Sequence, residues 1–199
     1  MSLSFYQQAI KAHREGRHEQ AIELFEKAID ENATDAKIHY NLGNVYADLD
    51  DYQTAISYYE QSLKLDRHVA SVWYNLGNAY LETKQYHDAI KAFEEAVSSK
   101  TNYVEAWFNL GVVYTELQQF DEAKSHYSRC VELDPNFHFG WYNLACLFAS
   151  ELDLRQTLFC LKNALTTSTK EINYKEMTKT DSYFDGIRDN PEFVKLINS

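Results

Sequence analysis

The stretch Trp73-Tyr-Asn-Leu-Gly-Asn-Ala-Tyr80 returns 34 residues later as Trp107-Phe-Asn-Leu-Gly-Val-Val-Tyr114 and again as Trp141-Tyr-Asn-Leu-Ala-Cys-Leu-Phe148. A looser copy stands upstream, His39-Tyr-Asn-Leu-Gly-Asn-Val-Tyr46. A fixed period of this length marks an array of units, each too small to bury its apolar face alone and therefore stacked on its neighbours. Within a unit the apolar residues recur at helical spacing twice with a polar turn between, as in Val72 to Thr83 and then Tyr86 to Ser98. Each unit is expected to be two antiparallel helices, and the chain all-α.

The units run 2–35, 36–69, 70–103, 104–137 and 138–171, followed by a capping segment, 172–199, of the same domain. Numbered from 1 to 34, a unit has large residues at positions 4, 7 and 11, small ones at 8, 20 and 27, and a large aromatic at 24. Small against large is what two closely crossing helices require. Gly77 and Ala89 are expected at the crossing, with Trp73 and Phe93 filling the space around it. The first unit departs with Gln8 and Ala12 where inner units carry Leu and Tyr, as a more polar outer face demands. The fifth has Ala145 for glycine, Thr157 for alanine and Leu161 for the aromatic. Beyond it, a short helix is expected over 172–179, and Asn190-Pro191-Glu192 reads as an N-cap with proline at the first helical position. This tail is expected to lid the last repeat.

The pattern resembles the tetratricopeptide repeat (TPR), whose signature is Trp-x-x-Leu-Gly-x-x-Tyr, then Ala-x-x-x-Phe, then Pro. Unit 70–103 carries Trp73, Leu76, Gly77, Tyr80, Ala89, Phe93 and Ala96, and unit 104–137 adds Pro135. The resemblance implies a right-handed superhelical solenoid whose concave face takes a peptide. That face is built by positions 2, 5, 6, 9, 12 and 13, which lie opposite the core side of the first helix at about 100° per residue. The expected peptide-binding residues are Tyr40, Asn41, Asn44, Tyr74, Asn75, Asn78, Phe108, Asn109, Tyr142 and Asn143. Asparagine amides offer donors and an acceptor to a bound backbone, and the rings can cover apolar side chains. Chaperone-binding members clamp a terminal carboxylate with cations at three of these positions. Here Asn44 and Asn75 match, but Tyr40, Glu105 and Asn109 replace the cations, so a carboxylate clamp is not expected.

Net charge is −11, from 19 basic and 30 acidic residues. That works against nucleic acid and anionic membranes and favours neutral to basic protein partners. No apolar run long enough for a secretory signal or membrane span appears, so a cytoplasmic location is expected. Cys130, Cys146 and Cys160 sit among helix-forming apolar residues and are expected to stay reduced. His13, His18, His39, His68, His87, His126 and His138 show no spacing typical of a metal site, and His39 reads as a core substitute for tryptophan. Asp48-Leu-Asp50-Asp51 is expected to end one helix and cap the next. No catalytic, metal or cofactor motif is found. The expected function is a non-enzymatic scaffold or adaptor, monomeric or weakly oligomeric. The alternatives are a self-associating building block and a targeting segment of a larger enzyme.

Overall fold

The computed structural model describes residues 3–168 and 172–198. Among them the chain is all-α, with α1 Phe5–Arg14, α2 His18–Glu31, α3 Ala36–Asp48, α4 Tyr52–Leu65, α5 Ala70–Glu82 and α6 Tyr86–Ser99. There follow α7 Val104–Glu116, α8 Phe120–Leu133, α9 His138–Ser150, α10 Leu154–Thr167, α11 Tyr174–Thr180, a 3-10 turn at Ser182–Phe184, and α12 Pro191–Asn198. Residues 169–171, the end of the fifth expected unit, lie outside the described residues. The chain divides into two compact units, Met1–Ala106 and Trp107–Ser199.

In the first unit, each helix packs on its neighbours in sequence, α1 on α2, α3 on α4, α5 on α6, and each pair on the next. The crossings are as close as the small residues allow. A Cβ added at Gly43 would lie 2.7 Å from the Tyr59 ring, and one at Gly77 would lie 2.6 Å from the ring of Phe93. Ala21, Phe25, Ala55, Ala89, Phe93 and Ala96 have no exposed surface at all. The second unit repeats this, with Gly111 2.5 Å from Tyr127 by the same measure. In the fifth repeat both partners have changed together. Ala145 and Leu161 are both fully buried, a larger residue facing a smaller one at the same crossing.

Trp73 is a correction. It was expected to fill the crossing beside Phe93, but it is only partly buried. Its indole N–H donates to the carbonyl of Arg67 at 2.8 Å, as that of Trp141 does to Pro135 at 2.9 Å. Such a ring bridges a helix to the turn six residues before it. His39 performs the same task as a substitute, since its Nε2 lies 3.0 Å from the Ala33 carbonyl and the residue is 5% exposed.

The five turns within the repeats share one device. Gly16, Asp50, Lys84, Gln118 and Leu152 all have φ between 58° and 71°, the left-handed region that favours glycine, and only the first is glycine. Helix starts are fixed by side chains: Ser4 and Gln7 form a reciprocal capping box, and Asp51 accepts from the Thr54 N–H at 3.2 Å. Asp51 therefore caps α4, as expected of the acidic run it ends.

The tail covers the last repeat. Phe184, Ile187, Phe193 and Ile197 bury against Leu147, Cys160 and Leu161 in one apolar cluster. The Asn190 side chain accepts from the Glu192 N–H at 2.9 Å and starts α12. The expected helix near 172–179 begins two residues later, at Tyr174, because Asn173 caps it through the Glu176 N–H. Cys130, Cys146 and Cys160 are buried and form no disulfide among the described residues.

Candidate functional site

The asparagines of the expected face are occupied differently from the expectation in the first unit. In the first unit the Asn41 amide donates to the Lys37 carbonyl at 2.7 Å and to the Tyr6 hydroxyl at 3.2 Å. One repeat on, the Asn75 amide donates to the Tyr40 hydroxyl at 3.2 Å and to Asn44 Oδ1 at 2.9 Å. Asn44 Oδ1 also accepts from the Tyr59 hydroxyl at 2.9 Å. Burial raises the pKa of Tyr59, which keeps that hydroxyl a donor. The Asn41 and Asn75 amides, expected to pair with a peptide backbone, are thus engaged between successive helices, from tyrosine at position 5 to asparagine at position 6 of the next repeat. These residues hold the face in register.

Around this network the first unit has a hollow of about 400 Å³, lined by Asn44, Ala47, Asp48, Tyr52, Tyr59, Asn75 and Asn78, with His13 at one side. Tyr74 lies further along the face, its ring 5.9 Å from Phe93 and 4.9 Å from Tyr103. Burial first, then the neighbouring Tyr74, pushes the Tyr103 pKa up to about 12. Asp48 and Glu82 close α3 and α5, where the last helix carbonyls already carry partial negative charge. Of these two carboxylates Asp48 lines the hollow, beside His13.

In the second unit Phe108 packs 5.6 Å from Tyr127, 5.2 Å from Phe137 and 6.3 Å from Phe139. Phe139 is 44% exposed, which leaves an aromatic surface beside the half-buried Asn109 and Asn143. Tyr142 is a correction. It is 6% exposed, its ring stacked 4.5 Å from Tyr174 and its hydroxyl donating to Asp181 at 2.9 Å. The tail occupies the face at that point, so Tyr142 is removed from any peptide surface. Cys146 lies under the same segment, and burial with the Asp181 carboxylate raises its pKa and keeps it a thiol.

Two features escaped the sequence reading. A second hollow of the first unit, about 920 Å³, lies where α4, α5 and α6 meet, over Leu63, Trp73, Leu76, Tyr80 and Ala92. It follows from Trp73 standing half out of the core, a fact its place in the motif did not reveal. The second is a cluster of side chains from three helices, His13, His18 and Asp48, with His13 Nε2 2.7 Å from Asp48 Oδ2. The signal for it lay in the repeat itself. His13 occupies position 12, where the other units have Ala47, Leu81, Thr115 and Ala149, and His18 occupies position 17, where they have Tyr52, Tyr86, Phe120 and Leu154. No helix among the described residues is long and apolar enough to cross a membrane.

Family models described as tetratricopeptide repeat match residues 34–102 and 104–137, and one described as TPR repeat matches 12–50. No curated protein matches the sequence significantly. Among solved structures, MamA is similar at 23% identity and a TM-score of 0.77, over 80% of this chain and 93% of that one. YrrB, described as a TPR protein with an unusual peptide-binding site, is similar at 24% and 0.72, over 82% and 84%. PilF of Pseudomonas aeruginosa is similar at 20% and 0.76, over 98% and 86%. At these identities the likeness shows the fold alone. The matched repeats, and the glycine-to-ring crossings that repeat with them, place this chain in the tetratricopeptide-repeat family.

Proposed function

We propose that the chain is a non-enzymatic scaffold that holds a peptide segment of a partner protein against the faces of its first helices, with a preference for neutral to basic peptides. The observation that carries this is the cross-linked face of the first unit. Tyr6, Asn41, Tyr40, Asn75 and Asn44 fix successive helices to one another, which leaves a preorganised hollow with Asp48 on its lining, while Glu82 ends the next first helix. A rigid face lowers the entropy a flexible ligand must give up on both sides of the contact. Carboxylates at the carbonyl ends of α3 and α5 attract a lysine or arginine side chain, and the chain's net charge of −11 steers such partners in. Asn78 and Tyr74 offer polar and aromatic contact. In the second unit Phe108, Asn109 and Asn143 do so, with the exposed Phe139 added to the expected set. YrrB, of the same fold, is described as peptide-binding, which accords with this reading.

The test is a panel of fluorescent peptides of matched length and hydrophobicity, in basic, neutral and acidic sets, titrated with the full chain. Basic peptides are expected to bind with micromolar affinity, about −8 kcal/mol. Glu82→Lys and Asn78→Ala are expected to weaken them several-fold while the circular dichroism is unchanged. Equal binding by folded variants would remove this face from the function.

A further inference from the structure

We propose that His13, His18 and Asp48 form a binding site for one divalent transition-metal ion of the zinc, nickel and cobalt class. One nitrogen of each imidazole and one carboxylate oxygen lie within 4.8 Å of one another. His13 and His18 meet edge to face with ring centres 5.8 Å apart. The two imidazoles are borderline donors that suit such ions and not calcium or magnesium, which take oxygen, and the carboxylate adds an anionic ligand. Bonds of about 2.0–2.2 Å put donor atoms roughly 3.0–3.5 Å apart around an ion. Rotation of the exposed Asp48 side chain, 57% accessible, closes the difference toward the half-buried imidazoles. Three protein ligands leave a coordination position open to water or to a donor from a partner.

Two further observations point the same way. His18 Nδ1 is buried with no hydrogen-bond partner, although a buried imidazole nitrogen ordinarily has one. The ligands also hang from a fixed frame. His13 is in the last turn of α1, and His18 is the first residue of α2. The turn between them is held by Gly16 at φ 71°, by the Gly16 N–H on the His13 carbonyl at 2.9 Å, and by the Arg17 N–H on the Ala12 carbonyl at 2.9 Å. Asp48 is the last residue of α3. The C-terminal ends of α1 and α3 therefore both turn toward the cluster and favour a cation there, against the opposing N–H end of α2, which starts at His18. A bound ion would staple the first repeat to the second. No other repeat has an imidazole at position 12 or position 17.

The probe is Zn²⁺ alone, titrated calorimetrically into the tag-free chain after chelator treatment, with Co²⁺ absorption as an independent readout of coordination. One equivalent is expected to bind and to raise the melting temperature, and chelator is expected to reverse both. His18→Ala and Asp48→Asn should each weaken Zn²⁺ at least tenfold, and His68→Ala, an exposed histidine in a turn, should not. Asp48→Asn is the decisive variant, because its amide oxygen still accepts a hydrogen bond from His13 while the anionic ligand is gone. If His18→Ala misfolds, Asp48→Asn alone decides. No saturable uptake, uptake unchanged in Asp48→Asn, or uptake lost equally in His68→Ala would each overturn the site. The measurement uses no peptide, so its outcome is independent of the scaffold reading.

Discussion

Gly77→Ala adds one carbon at the tightest glycine-to-ring crossing of the first unit. The new Cβ lies 2.6 Å from Phe93 Cε1 and 2.7 Å from Cδ1 on a ring with no exposed surface, so the ring has nowhere to go. Overpacking of this kind costs about 1–3 kcal/mol, and so close an approach belongs at the upper end. Replacing a mid-helix glycine by alanine returns about 1 kcal/mol of helix propensity. The net expectation is a loss of about 2 kcal/mol. Phe93→Leu alone leaves a partial void and costs about 1.5 kcal/mol, a fraction of the 3–5 for full truncation to alanine. Independent effects would sum to roughly 3.5 kcal/mol. The two changes relieve one another, so the double variant should lose no more than about 1.5, a coupling near 2 kcal/mol. The fifth repeat already holds this pair, as Ala145 and Leu161, both fully buried. The first repeat holds Ala9 opposite Phe25, but with Ala12 one turn on, where inner repeats carry Tyr46, Tyr80 and Tyr114, so less bulk surrounds that crossing. Urea unfolding followed by circular dichroism measures all four states of the cycle, with the midpoints compared at unchanged slope. Additivity to within about 0.5 kcal/mol would refute the claim that glycine and ring specify each other.

Other consequences are testable in the same assay. His39→Trp should gain about 1 kcal/mol by covering roughly 50 Å² more apolar surface. It fills the hollow beside Ile29 and Tyr58 and removes the unpartnered, buried His39 Nδ1, and a loss of stability would show that the site has closed around the smaller ring. Gln118→Gly should gain about 0.5–1 kcal/mol, because Gln118 is exposed and held at φ 59°. His126 stacks 5.7 Å from Trp107 and 5.0 Å from Tyr114, and burial lowers its pKa, as it does for His138. The folded state therefore binds fewer protons than the unfolded one near and below the ordinary histidine range. Stability should rise as pH rises through the ordinary histidine range and level off above it, and His126→Phe should flatten that rise.

What repeats was legible and what differs between repeats was not. The 34-residue period, the small and large positions and both helix starts at Asp51 and Asn190 follow from local rules that a single strand of text carries. Trp73 and His39 show the limit. The motif gives tryptophan a place but not a depth, and the ring turned out to bridge to a backbone carbonyl. Asn41 and Asn75 were found as a ladder, yet their partners, Tyr6 and Tyr40, lie a full repeat away, so the direction of each amide depended on how neighbouring helices stack. Tyr142 failed for the same reason, since a tail 39 residues on determines whether it meets solvent.

The departures from the period carry the most specific chemistry. A residue that matches its column is explained by packing, because every repeat needs it. His13 and His18 do not match their columns, and no packing rule asks for imidazole where other repeats place alanine, leucine or tyrosine. They converge because the helical turn that fixes every repeat brings positions 12 and 17 to one point, and stacking brings position 13 of the next repeat beside them as Asp48. The repeat supplies the geometry, and the exceptions within it select the ligand.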